Sequence, residues 1–142
     1  MEKWEEYKYT GQFSIKSGDV IYRPMIAVNV SANGHSDVCF SMIDSGTDDT
    51  LIDAGFAKIL GIDESKCEKT KVGGIVGQTS NAFKAQVKLK IEKFKEESGT
   101  EVIFVPGMFV AGLLGQKDIF ENFKIRFEKR NKKFYLLQEK KK

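Results

Sequence analysis

Short runs in which bulky side chains alternate with small or polar ones dominate this sequence. Residues 7–15 and 85–91 are the clearest cases. Successive side chains of a β-strand point to opposite faces, so both runs predict strands with one buried and one solvent-exposed face. Two further apolar runs, 25–30 and 37–43, flank an Asn-Gly dipeptide at Asn33, and this arrangement predicts a β-hairpin.

Helical signals are few. Residues 54–60 follow Asp53, a suitable cap, and end at Gly61, so they predict one short helix. A second helical turn is predicted at residues 116–120. The fold class is therefore mostly β, with about eight or nine short strands and one or two short helices. Such strands bury their apolar faces by closing into a small barrel or a sandwich.

Length and composition exclude several classes of protein. A chain of 142 residues has room for one core, so residues 1–142 are predicted to form a single domain. The net charge of +3 is too small to indicate nucleic-acid binding, and the basic end at residues 129–142 fits a solvated surface. Cys39 and Cys67 are isolated and match no metal or redox spacing. Without an apolar run of about 20 residues, no membrane segment is predicted, and we expect a cytoplasmic protein.

Several chemistries lack the residues that they need. His35 is the single histidine and lies in the predicted hairpin turn, so it supports no Ser-His or Cys-His mechanism. No cluster of His, Cys or carboxylate residues has metal-ligand spacing. The glycine-rich segment at 72–77 lacks the Gly-Lys-Ser/Thr ending of a phosphate-binding loop. The sequence therefore predicts neither a metal nor a cofactor.

Residues 40–52 carry the remaining chemical signal, because an apolar strand there runs directly into Asp44. A carboxylate at a buried strand end costs free energy unless it is paired or hydrogen-bonded, although an Asp-Ser-Gly tripeptide alone also fits an ordinary turn. The wider pattern resembles the active-site loop of the retropepsins, the retroviral-type aspartic proteases and their cellular relatives. The residues that match this pattern in order are Met42, Ile43, Asp44, Ser45, Gly46, Asp48, Asp49 and Thr50.

Two other segments resemble elements of the same family. Residues 72–77, which we call the flap tip, resemble its glycine-rich flap, and residues 111–115 resemble the apolar-apolar-Gly element that packs beside the active-site loop. The resemblance covers residues 22–137 and, at 118–123 and in the basic closing hairpin, is nearer to cellular than to viral members. It implies a small closed barrel of the retropepsin type.

Three departures from the family pattern concern the active site and the dimer. Thr47 stands where alanine is usual, so its larger side chain must be accommodated. Gln116 stands where retroviral members have an arginine that pairs with the acidic residue matching Asp48. The C-terminal hairpin is longer than the short viral terminus. We therefore expect dimer contacts that differ from those of the viral enzymes.

The resemblance implies an aspartic endopeptidase whose site is shared by two identical subunits, because the chain has one Asp-Ser-Gly and the chemistry needs two carboxylates. The predicted partners are a second copy and a polypeptide substrate. Asp44 is the predicted catalytic residue. The predicted supporting and substrate-binding residues are Ser45, Gly46, Thr47, Asp48, Asp49, Gly73, Gly74, Ile75, Val76 and Leu113.

Alternatives remain open for the function and for single residues. A non-catalytic module could keep this fold for dimerisation or peptide binding, and a basic, nucleic-acid-associated β-barrel is a third and weaker interpretation. The glycines of the flap tip also fit a plain hairpin turn. Four apolar residues fit the core as well as a substrate pocket: Ile52, Ile75, Val76 and Leu113.

Overall fold

A computed structural model describes residues 2–74 and 76–140 and contains twelve strands and one α-helix in those ranges. The strands are β1 (Glu5–Lys8), β2 (Thr10–Phe13), β3 (Val20–Arg23), β4 (Met25–Ala32), β5 (His35–Ile43), β6 (Leu51–Asp53), β7 (Glu68–Gly73), β8 (Thr79–Ile91), β9 (Glu97–Val105), β10 (Gly112–Leu114), β11 (Phe123–Glu128) and β12 (Lys133–Gln138). Helix α1 is Gly55–Ile59, and single helical turns lie at Glu64–Lys66, Gln116–Phe120 and Lys129–Asn131. No helix in the described ranges has both the length and the apolar character needed to cross a membrane.

Six strands close a small barrel in the order β4, β5, β10, β6, β9 and β8, with β8 pairing back to β4. Strand β7 extends the sheet beyond β8. The predicted fold class, a mostly β protein built on a small closed barrel, is confirmed. The strands outnumber the eight or nine expected for two reasons: β6 and β10 have only three residues each, too few to show an alternation in the sequence, and the predicted strand at residues 7–15 is divided between β1 and β2.

Strand β10 closes the barrel by lying parallel to β5 and antiparallel to β6. Its first residue, Gly112, is opposite Ser41 on β5 and Ile52 on β6. A Cβ at Gly112 would lie 2.5 Å from the Ser41 Oγ and 2.9 Å from the Cys39 Sγ. Glycine is therefore what allows the three strands to approach each other here.

The predicted hairpin and the predicted alternation in β8 are both confirmed. Strands β4 and β5 pair antiparallel around Asn33 and Gly34, whose φ angles of 53° and 76° are those of a tight left-handed turn. In β8 the residues Val87, Leu89 and Ile91 are buried in the main core, while the lysines between them are exposed. One face of this strand therefore supplies the core and the other meets water.

The N-terminal segment differs from its prediction. Residues 7–15 do not form one strand, because β1 pairs with β12 in a three-stranded sheet whereas β2 pairs with β3 in a separate hairpin. Tyr7 is 5% exposed, but Ile15 lies beyond the end of β2 and is 92% exposed. Alternation predicts an extended backbone, yet it does not specify which sheet receives each half of the segment.

Candidate active site

Asp44 follows the last residue of β5 and is held between two other segments by its backbone. Its N–H donates to the Leu114 carbonyl of β10 at 3.0 Å, and the preceding Ile43 N–H donates to the Pro24 carbonyl at 3.0 Å. These bonds continue the barrel ladder to the first residue of the Asp44 loop, residues 44–50. The position of Asp44 is thus set by the barrel and not by the loop alone.

The carboxylate of Asp44 is oriented by its own loop. Its Oδ1 accepts a hydrogen bond from the Gly46 N–H at 2.9 Å, and the side chain remains partly exposed. A Cβ at position 46 would stand 3.2 Å from the same oxygen, a tight approach that glycine avoids. The Asp-Ser-Gly order therefore has a local structural reason: the third residue donates to the first, and the absent side chain leaves room for the carboxylate.

Residues 115–117 run alongside the Asp44 loop and fasten it. The Gln116 Nε2 donates to the Ser45 carbonyl at 2.8 Å, and the Gln116 backbone N–H donates to the Thr47 carbonyl at 2.9 Å. The next residue, Lys117, donates its N–H to the Asp48 carbonyl at 2.9 Å. Gln116 thus contacts this loop through a neutral amide, where the viral arginine would pair with an acid.

Gly115 is the second position of this contact that allows no side chain. A Cβ there would lie 2.4 Å from the Asp49 carbonyl oxygen and 2.6 Å from that of Thr47. The sequence indicates Gln116 only as a departure from the viral pattern, and the resemblance places residues 111–115 beside the loop without giving Gly112 or Gly115 a role of its own. The recurrence of glycine before and after the apolar pair at 113–114 is the signal that could have indicated a close backbone approach.

The other predicted residues of the loop lie together beside Asp44. Thr47 is partly buried and its Oγ1 donates to the Asp49 carbonyl at 3.1 Å, so the larger residue is accommodated by a local bond. Ser45 and Asp48 are exposed, whereas Asp49 is partly buried. Ser45 and Asp48 therefore present polar groups to the solvent at this end of the barrel.

In the described part of the flap tip, residues 72 and 73 end β7, and residues 74, 76 and 77 lie between β7 and β8. The Gly74 N–H donates to the Gln78 carbonyl at 2.8 Å, and the Gly77 N–H donates to the Gly74 carbonyl at 3.2 Å. Gly77 has a φ of 80°, in the left-handed region that favours glycine. A Cβ at Gly73 or Gly77 would meet nothing within 4 Å, and Val76 is 81% exposed. The predicted site residue Ile75 lies outside the described residues.

Leu113 connects β10 to the base of the flap. It is partly buried and packs against a small cluster separate from the main core. The buried members of this cluster are Leu51, Ala82, Ile103 and Val105, with Val72 and Met108 at its edge. Ile52 is 1% exposed and belongs to the main core, the alternative that the sequence left open for it.

No three His, Cys, Asp or Glu side chains are grouped as metal ligands within residues 2–74 and 76–140. The reactive side-chain groups of the Asp44 loop are the carboxylates of Asp44, Asp48 and Asp49 and the hydroxyls of Ser45 and Thr47. A single Asp44 carboxylate can take up or release one proton. Acid-base hydrolysis of a peptide needs a second group of the same kind beside it.

A small closed barrel with an Asp-Ser-Gly loop at the end of one strand has the fold of the retropepsin-like acid proteases. A family model described as Aspartyl protease matches residues 26–117, which is more than half of the chain. The chain therefore belongs to the aspartyl protease family. The match begins in β4 and ends just after the Gln116 contact, so it includes the whole Asp44 loop.

Two solved structures share the fold. A retropepsin-like aspartic protease from Rickettsia conorii superposes with a TM-score of 0.59 at 17% identity, covering 97% of this chain and 94% of that one. The EIAV protease in complex with the inhibitor HBY-793 superposes with a TM-score of 0.56 at 20% identity, covering 70% of this chain and 86% of that one. At these identities the likeness concerns the fold. Comparison with curated proteins gives no significant match.

Proposed function

We propose that this chain is an aspartic endopeptidase that acts as a homodimer, with Asp44 of each subunit forming the catalytic pair. Residues 1–142 would then be a single half-site domain. The observation that carries the proposal is the fixed position of Asp44 at the barrel end: its backbone N–H donates to the Leu114 carbonyl, and its carboxylate accepts from the Gly46 N–H. Membership of the aspartyl protease family supports the same reaction.

The proposed chemistry uses two carboxylates that share one proton. Carboxylates about 3 Å apart cannot both ionise, so one is charged and the other protonated. The charged Asp44 takes a proton from a water molecule as the water oxygen attacks the peptide carbonyl carbon. The protonated Asp44 donates a hydrogen bond to the carbonyl oxygen. The tetrahedral intermediate then breaks its C–N bond, and the nitrogen leaves with a proton from the pair.

The neighbouring residues would hold the substrate in an extended form. Peptides bound as an added strand use their own backbone groups, and alternate side chains enter pockets. Thr47, Asp48 and Asp49 would contact the peptide from the loop, while Ser45 and Gly46 support Asp44. Gly73, Gly74, Ile75 and Val76 would cover the peptide from the flap, and Leu113 would line an apolar pocket.

The substitution Asp44→Asn tests the catalytic assignment. Asparagine is nearly isosteric but cannot carry the charge or exchange the proton, so cleavage should fall at least about a thousandfold. Folding should be preserved, because the amide oxygen can still accept from the Gly46 N–H. Peptide cleavage and circular dichroism measure the two effects. Asp63→Asn is the matched control, since Asp63 is exposed and lies in a separate helical turn. Full activity of the purified Asp44→Asn protein would refute the assignment.

Subunit mixing tests the shared pair and separates it from a non-catalytic dimer. In an equimolar mixture with Asp44→Asn protein, random exchange leaves only about half of the active subunits paired with another active subunit. Cleavage per wild-type subunit should therefore fall to about half. Activity that stays proportional to the wild-type subunits would show that one chain suffices. A dimer without cleavage of any peptide in a diverse library would favour the non-catalytic module.

A further inference from the structure

We propose that the hairpin formed by β2 and β3, residues 10–23, is a dimerisation arm that packs against a second copy of this chain. The inference rests on the proposed function and deepens it, because it places part of the dimer interface outside the Asp44 loop. We call this segment the arm.

The arm exposes an unusual amount of apolar surface. Its two strands pair with each other and with no other strand of the described chain. Phe13 is 68% exposed, Ile15 92%, Val20 50% and Ile21 38%. A two-stranded hairpin is marginally stable by itself, and clustered exposed apolar side chains indicate an interaction surface. Phe13 and Val20 are cross-strand partners, so they form one continuous apolar patch.

The base of the arm is fixed to the rest of the molecule. The Lys129 Nζ donates to the Tyr22 carbonyl at 2.6 Å, and the Lys132 Nζ lies 4.2 Å from the centre of the Tyr22 ring. Arg23 stacks on Phe109 with its guanidinium 5.6 Å from the ring centre. These contacts set the direction of the arm, so its apolar patch is presented at a defined place.

The base of the arm lies next to Asp44. Arg23 ends the arm, and the next residue, Pro24, accepts from the Ile43 N–H immediately before Asp44. Phe109, which stacks on Arg23, is 72% exposed and extends the apolar surface. A two-fold axis between the Asp44 carboxylates therefore passes close to the base of the arm. Each four-residue strand reaches roughly 13 Å from that base, far enough to contact a partner related by the axis.

The central strand of the terminal sheet cannot take up a strand of the partner. Strand β12 lies between β1 and β11 and is already hydrogen-bonded on both sides. A strand from a second chain cannot add to it. The arm, in contrast, lies close to Asp44 and has apolar surface that the rest of the chain does not cover. Because the proposed catalytic pair already needs a second copy of this chain, that copy is the partner expected to cover the arm.

The double substitution Phe13→Ser with Ile15→Ser tests the arm. Each change removes an apolar side chain that the interface would bury, so the dimer dissociation constant from sedimentation should rise at least tenfold. Cleavage should fall at low enzyme concentration and return at high concentration, because Asp44 is unchanged. Val38→Ser is the matched control, since Val38 is 56% exposed on β5 outside the arm.

Three outcomes would overturn the arm, and they differ in what they imply for the proposed function. Equal dimer strength in wild-type and double-variant protein, with cleavage intact, would overturn the arm and leave the Asp44 pair standing. A strictly monomeric wild type that cleaves nothing would overturn the proposed function together with the arm. An unchanged dimer whose binding to phosphatidylcholine–phosphatidylserine vesicles is lost in the double variant would assign the arm to a membrane surface and refute the proposal.

Discussion

The side chain of Gln116 holds the Asp44 loop with one hydrogen bond, to the Ser45 carbonyl at 2.8 Å. In a Gln116→Glu variant the ionised carboxylate cannot donate this bond, whereas the protonated acid can. Relative to wild type, kcat/KM should therefore be lowered up to about tenfold above pH 5 and recover as the pH falls through the ordinary glutamate range near 4. Gln116→Ala, which has no donor at any pH, should show an equal loss throughout. A parallel profile for the two variants would contradict this role.

Gly115 tests the same contact through its backbone. Because a Cβ would stand 2.4 Å from the Asp49 carbonyl oxygen, Gly115→Ala must displace the Asp44 loop or β10. We expect the free energy of unfolding to fall by about 2 kcal/mol or more, measured by urea denaturation. Gly99→Ala is the control, because a Cβ there meets nothing within 4 Å and should change stability little. Equal midpoints for the two variants would contradict the close approach.

Some of these site residues can be predicted from the sequence, and others cannot. Asp44 and Gly46 stand in a contiguous pattern, and their mutual bond spans two positions. The Gln116 bond to Ser45 spans 71 positions and exists only because β10 lies against β5. Three-residue strands such as β10 carry no periodicity, so only the resemblance of residues 111–115 to a family element, and not their pattern, indicated that they pack beside the Asp44 loop.

Among the elements, the flap is the one whose proposed role requires motion. Among the described residues of the tip, only Val72 is partly buried and the others are exposed, whereas residues 85–91 of the same hairpin lie in the barrel. Amide exchange should therefore be fast at 72–80 and slow at 85–91 in the free protein. A statine-type inhibitor, which places a hydroxyl between the two carboxylates, should slow exchange at 72–80 only. Unchanged exchange with the inhibitor bound would reject the flap as a lid.

Alternation of bulky and polar residues predicts burial correctly in one segment of this chain and not in another. Residues 85–91 alternate and lie in a barrel strand with neighbours on both sides, so the pattern and the burial agree. Residues 7–15 alternate equally well, yet half of them join the terminal sheet and half the arm. The burial of Tyr7 and the exposure of Phe13 depend on distant partners, which local alternation does not encode.

At the scale of the whole molecule, Tyr7 joins the three-stranded terminal sheet to the barrel. It is 5% exposed, stacks on Phe134 with ring centres 5.1 Å apart, and donates its hydroxyl to the Glu92 carbonyl at 2.6 Å. Burial, with smaller contributions from the charges of Glu5 and Glu92, raises the pKa of Tyr7 far above its ordinary value of 10.0. The terminal sheet is thus docked through a phenol that must stay protonated.

This raised pKa predicts a loss of stability in alkali. Above pH 10.0 the unfolded chain releases the Tyr7 proton while the folded chain keeps it, so the folded state binds more protons and stability falls as the pH rises. Tyr7→Phe loses the bond to the Glu92 carbonyl, about 1 kcal/mol near neutral pH, but lacks the titrating group. The gap between the two proteins in urea denaturation should therefore shrink and then reverse between about pH 9 and about pH 12, by up to about 1.4 kcal/mol per pH unit. Other tyrosines and lysines titrate in both proteins and cancel in the difference. A gap that stays constant through this range would show that the Tyr7 phenol ionises alike in the folded and unfolded chain.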